Sequence, residues 1–162
     1  MERQEIAQEL ADAQDLIAST SAAHLAYTAK DGTPRVVPVG YYWTGAEFVV
    51  ATHPYAPKLG ALRERTDVAL AIDGGGTPGD ARALSIRGTA SITVVDGIVP
   101  EYLAAAHKSM EPDVAAEFDK NVRAVYDQQA RIAITPAWVR FYDFGAGRMP
   151  RSLQAYLDRE RP

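Results

Sequence analysis

The sequence predicts a mainly β protein, an antiparallel barrel with peripheral helices. Three observations carry this. Short, β-rich apolar runs recur along the chain, several are joined by tight turns such as Asp31-Gly32 and Thr44-Gly45, and helices enter singly instead of alternating with strands. At 162 residues the chain fits one domain with its own core, and no linker or repeat divides residues 1–162.

Taken in order, Ile6, Leu10, Leu16 and Ile17 fall at helix-compatible spacings and predict an amphipathic N-terminal helix. "AHLAYTA", "PRVVPVGYYW" and "EFVVAT" then read as three antiparallel strands of a meander, joined by the turns at Asp31-Gly32 and Thr44-Gly45. Pro57 suits the first position of a short helix, with Leu59 and Leu62 as its apolar positions. "DVALAID" and "RALSIRGTASITVV" return to β across a glycine-rich loop. Residues 98–128 form a helical insertion broken at Pro112. "RIAIT" and "WVRFYDF", separated by Pro136, supply the last strands, and "RSLQAYLDRERP" a final turn or helix.

Composition excludes several classes of function. With 17 basic and 21 acidic residues the net charge is −4, the wrong sign for a protein built around a phosphate backbone, so no nucleic-acid partner is expected. The chain has no cysteine, which removes thiolate chemistry and iron–sulfur clusters, and its three histidines are too far apart to read as a metal cluster. The acidic N-terminal stretch lacks the apolar core of a signal peptide, and no run approaches the ~20 apolar residues of a membrane span. A soluble, cytoplasmic protein with no membrane partner is the expectation.

The loop "GGGTPG" matches the dinucleotide fingerprint in form alone. That fingerprint needs a helix to begin in the loop, whereas Pro78 and Gly79 lead into the alternating "ARALSIRG", so a hairpin loop is expected. Lys58 is less easily dismissed. A cation in the first turn faces the positive end of the helix dipole, where a carboxylate is preferred, and this suggests either a solvated surface lysine or a seat for an anion. Thr52 ends the preceding strand and Arg35 lies on its neighbour, so all three could converge on one phosphate. Pro38 interrupts the donor row of its strand, which marks a sheet edge or a strip of backbone bordering a flat ligand between Val36, Val37 and Val39. Period two sends Tyr41 and Trp43 to one face and Tyr42 to the other.

"DGTPRVVPVGYYWTGAEFVVAT", followed after a short gap by "KLGALRERTDVALAI", resembles the pyridoxamine 5′-phosphate oxidase-like superfamily. The resemblance implies an antiparallel split β-barrel of the FMN-binding type, with an N-terminal helix and a helical insertion before the last strands. It also implies FMN, or alternatively the deazaflavin F420, as cofactor. Carried over by position, Arg35, Thr52 and Lys58 would hold the cofactor phosphate. Val36, Val37, Pro38 and Val39 would border the ring, with Ala51 and Pro57 close by, and Trp138 and Arg140 would reach the cofactor from the second subunit of a homodimer. Ala83 replaces the glutamine that vitamin B6 oxidases carry, and the tail has no histidine, so the resemblance implies a flavin- or F420-dependent oxidoreductase acting on another small planar substrate. Arg63 or Arg65 would suit the acidic tail of F420. The competing reading is a non-catalytic split barrel that binds flavin or another ligand.

Overall fold

The computed structural model describes residues 1–159. The N-terminal helical segment breaks at Ala13 into α1 (Arg3–Asp12) and α2 (Gln14–Ser19). Seven strands follow, β1 (Ala22–Thr28), β2 (Pro34–Gly40), β3 (Tyr42–Trp43), β4 (Phe48–Thr52), β5 (Asp67–Gly74), β6 (Arg82–Asp96) and β7 (Gln128–Asp143). They form one antiparallel sheet in the order β2-β1-β5-β6-β7-β4-β3. Helix α3 (Pro57–Glu64) joins β4 to β5, α4 (Pro100–His107) and α5 (Pro112–Val125) lie between β6 and β7, and α6 (Arg151–Arg159) ends the described chain.

The sheet curls so that alternate residues of each strand, among them Leu25, Phe48, Leu70, Ile86, Ile132 and Val139, meet in one core. Its two edges do not pair. Strands β2 and β4 approach each other without a ladder between them, and α4 packs across both. This is the split barrel the sequence resemblance implied. The barrel's ends are stopped by helices. Leu16 and Ile17 of α2 enter the core at one end and Leu59 and Leu62 of α3 at the other, all essentially inaccessible to water. Burying an aliphatic side chain of this size is worth about 1.5–3 kcal/mol, so these short helices are held by the barrel more than by their own propensity.

One sequence expectation is corrected. The stretch "PRVVPVGYYW" is not one strand of a meander. It breaks at Tyr41, so that β2 pairs with β1 while β3 pairs with β4 on the far edge of the sheet. Tyr41 is fully buried, donates from its hydroxyl to the Ile17 carbonyl at 2.9 Å and sits 2.8 Å from the Thr20 hydroxyl. Leaving the ladder lets it meet the carbonyl groups at the end of α2. The glycine-rich loop joins β5 to β6 as a hairpin connection, and Asp80 closes it by accepting from the Thr77 amide at 2.6 Å.

"RIAIT" and "WVRFYDF" belong to a single strand, because the β6–β7 ladder absorbs Pro136 in a bulge. Arg87 faces Trp138 and Gly88 faces Pro136, leaving Ala137 as the extra residue. At Gly88 a Cβ would overlap the Thr135 carbonyl, a backbone atom that cannot move aside. Gly88→Ala is therefore expected to cost about 1–3 kcal/mol, the usual penalty of overpacking, and urea denaturation measures it.

Candidate functional site

The strand pairings settle which predicted residues share one end of the barrel. Five antiparallel steps separate β2 from β4, so the two run in opposite directions, and the start of β2 lies at the same end as the finish of β4. Arg35 is at that start and Thr52 at that finish. Helix α3 caps the same end. Arg65, just past it, donates to the Ala29 carbonyl at 3.1 Å, and Glu64 lies 3.4 Å from Lys30, both in the turn that leads into β2. Pro57 opens α3 at its first position, where its missing N–H costs nothing, and Lys58 follows it.

The two cations of this group differ. The Arg35 guanidinium is occupied locally, donating to Asp31 at 3.0 Å, to the Pro34 carbonyl at 3.1 Å and to the Thr33 hydroxyl. The Thr33 hydroxyl and amide, which both donate to Asp31, and then the Arg35 guanidinium hold the Asp31 carboxyl below the usual carboxylate range. Lys58 is half-buried, and its ammonium has no hydrogen-bond or ion-pair partner among the described residues. Burial pushes its pKa down. An unpaired, partly desolvated cation beside a helix N-terminus is a place where an anion gains more than it would at an open surface.

Strand β2 is an edge strand along its whole length, and Pro38 sits opposite His24 in its ladder with β1. Its residues alternate. Val37 and Val39 turn into the barrel core, whereas Val36, at 63 % exposure, and Pro38 lie on the outer face. Ala51 is also on the outer face, beneath the α4–α5 insertion, while Thr52 has the parity of the core residues Phe48 and Val50. Tyr41 and Trp43 pack on Phe48 with ring centroids 5.9 and 4.4 Å away, Tyr41 inside the core and Trp43 partly buried against it, where it also lines a groove beneath α1. His53 is exposed beside Tyr55 and Tyr126.

Trp138 and Arg140 face outward on β7, far along the strand from the β4 pairing. The Arg87 guanidinium lies 4.2 Å from the Trp138 ring centre and that of Arg140 5.9 Å. Arg140 also pairs with Glu9 at 2.8 Å. Glu9 was not singled out in the sequence, where it reads as one more acid on an acidic helix. It is nonetheless buried, accepting from the Phe141 amide at 2.7 Å and from Arg148 at 2.6 Å. Arg87 was likewise missed, because its partner became visible only through the β6–β7 register.

Residues 10–143 match the family model described as pyridoxamine 5′-phosphate oxidase. No protein of curated function matches the chain. Among solved structures, a conserved hypothetical protein from Mycobacterium tuberculosis superposes with a TM-score of 0.63 at 21% identity, over 93% of this chain and 90% of that one. A structure described as F420 reductase gives 0.58 at 21% identity, over 78% and 94%. The heme storage protein from Vibrio cholerae gives 0.58 at 13% identity, over 81% and 92%. At these identities the likeness shows the fold alone, and proteins of this fold are described with different ligands.

The unpaired Lys58 has a measurable consequence. Because its folded pKa lies below the ordinary 10.5, the unfolded chain binds more protons between the two values, and stability rises with pH across that window. Lys58→Met removes the buried charge. The variant is expected to be at least as stable as wild type at pH 7 without ligand, with the difference closing as pH rises toward 10.5. Urea denaturation at several pH values tests this, and a Lys58→Met variant weaker by more than about 1 kcal/mol at pH 7 would reveal a stabilising partner for the ammonium.

Proposed function

We propose, from the premise that the chain belongs to the pyridoxamine 5′-phosphate oxidase family, that it binds FMN, or alternatively F420, and works as an oxidoreductase on a small planar organic substrate. The observation that carries this reading is the partnerless Lys58 ammonium at the start of α3, at the barrel end shared by Arg35 and Thr52. A dianionic phosphate suits that donor set, with the ammonium as a point charge, the guanidinium as a fork and the threonine hydroxyl as a neutral donor. Arg35 would exchange Asp31 for the phosphate. The outer edge of β2, with Val36 and Pro38 exposed and no described strand beyond it, would border the ring. Bound there, the cofactor supplies transfer of a hydride or electron pair, and the protein's part is to hold it and exclude water.

The site is completed by a second copy. The outer face of β1, β5 and β6 presents small residues, including Ala26, Ala69 and Ala71, and no described helix covers it. A groove of about 490 Å³ runs along it between Val36 and Ala137, bordered by Arg87. A homodimer closed through this face would bury that surface and bring Trp138 and Arg140 of one copy toward the β2 edge of the other.

Two measurements test the reading. Purified protein titrated with FMN and with F420 is expected to bind one of them, and Lys58→Met to weaken that binding by roughly 10- to 100-fold, the worth of a charge-assisted hydrogen bond of about 1.5–3 kcal/mol. An unchanged dissociation constant would return Lys58 to the surface. Light scattering should give a dimer mass for wild type and a monomer mass for Ala69→Arg, which places a charge in the proposed interface. A non-catalytic carrier would bind the same cofactor, yet its reduced form would meet organic acceptors no faster than free cofactor does.

A further inference from the structure

Off the barrel, between the outer face of β4 and the helical insertion, lies a separate cavity of about 290 Å³. Val49 and Ala51 form its floor, Ala105, Ala106 and Met110 one wall, and Tyr102 and Phe118 another, with their rings 25° from parallel and 6.0 Å apart. Among the described residues no charged side chain lines it. Its volume is roughly twice the ~150 Å³ that admits benzene in an apolar cavity, which is room for a fused pair of rings.

Three details indicate a ligand site instead of a packing fault. Gly40 lies at its rim, and neither backbone nor crowding demands a glycine there. Its φ is not positive, and a Cβ would meet only the Ser21 carbonyl at an ordinary 3.8 Å. What the missing side chain leaves is space. The Tyr102 hydroxyl makes no hydrogen bond among the described residues, and burial, followed by the neighbouring Tyr126, raises its pKa, so it stays a neutral donor. Finally, Gly40 ends β2 and Ala51 lies on β4, so the cavity opens between the two edges of the split barrel.

We infer that this cavity binds an uncharged bicyclic aromatic molecule of the quinone type, its rings against Tyr102 and Phe118 and one carbonyl oxygen accepting from the Tyr102 hydroxyl. Absence of charge in the lining selects against phosphorylated or carboxylated compounds, whose desolvation nothing would offset. The ligand's role as the acceptor in an oxidoreductase rests on the flavin reading; its occupancy of the cavity does not.

The probe is 2-methyl-1,4-naphthoquinone, titrated into the full chain while the methyl signals of Met110, Ala105 and Ala106 are followed by NMR. Saturable shifts centred on these methyls are expected. Gly40→Leu and Ala106→Leu, which fill the cavity from opposite sides, should each weaken binding at least about 10-fold, and Tyr102→Phe roughly 2- to 10-fold through its lost hydrogen bond. Tyr102→Phe keeps the test decisive if a leucine variant does not fold. FMN titration of Gly40→Leu should match wild type. Quinone binding at these methyls in a chain that takes no flavin would remove the oxidoreductase reading and sustain this one. The inference fails if wild type shows no saturable shift at these methyls, or if the folded variants bind the quinone as wild type does.

Discussion

The fold depends on what happens to β7 once β4 ends. Up to Ile134 the strand has neighbours on both sides, β6 and β4, but beyond it only β6 continues, so the amides on the other side of residues 139 to 141 face no strand. A buried amide left unpaired costs about 1–3 kcal/mol, and α1 supplies the partner. The Glu9 carboxylate accepts from the Phe141 amide, and the Met1 sulfur lies 3.4 Å from the Val139 amide. Burying that carboxylate in turn requires cations, which Arg140 and Arg148 provide, and Arg148 reaches on to Asp12 and to the Phe141 carbonyl at 2.9 Å. One open strand edge thus fixes the first helix and the loop that follows β7, and sets the direction of Arg140.

The two cations at the other end of the barrel follow the opposite logic. Arg35 is satisfied within its own turn, by groups two and four residues earlier in the chain, so it costs little to hold ready. Lys58 has no such arrangement, and α3 is held rigid around it by the burial of Leu59, Ala61 and Leu62. A helix docked this firmly cannot turn its first residues away from the barrel. The energetic asymmetry between the two ends is what separates a structural ion network from a seat for a ligand: one is closed by its own residues, the other is left open.

Much of this was legible in the chain. The turns at Asp31-Gly32 and Thr44-Gly45, the prolines opening α3 and α5, and the alternation after the glycine-rich loop are local signals, read within a few residues, and the structure forms the corresponding hairpins and helices. The break at Tyr41 was not legible, because the tyrosine has ordinary strand propensity and leaves the ladder for the carbonyl of a residue 24 positions earlier. Glu9 was hidden for the same reason, its partners lying more than 130 residues away. The cavity beneath the insertion was invisible too, since alanines and a glycine at a rim signal nothing until two helices are laid over them.

The placement of β4 also shapes how the molecule must come together. Its inner partner is β7, roughly 80 residues later, whereas β1 with β2 and β5 with β6 are neighbours or near neighbours in sequence. Closing so long a loop carries an entropic cost that is recovered only when the last strand arrives. During synthesis, then, β4 emerges early and waits, with Phe48, Val49 and Val50 exposed until the ribosome has delivered residues 130–134. The end of the barrel that carries Thr52 and Lys58 consequently stays incomplete until then, and a nascent chain stalled before β7 would display a sticky apolar strand in place of a binding site.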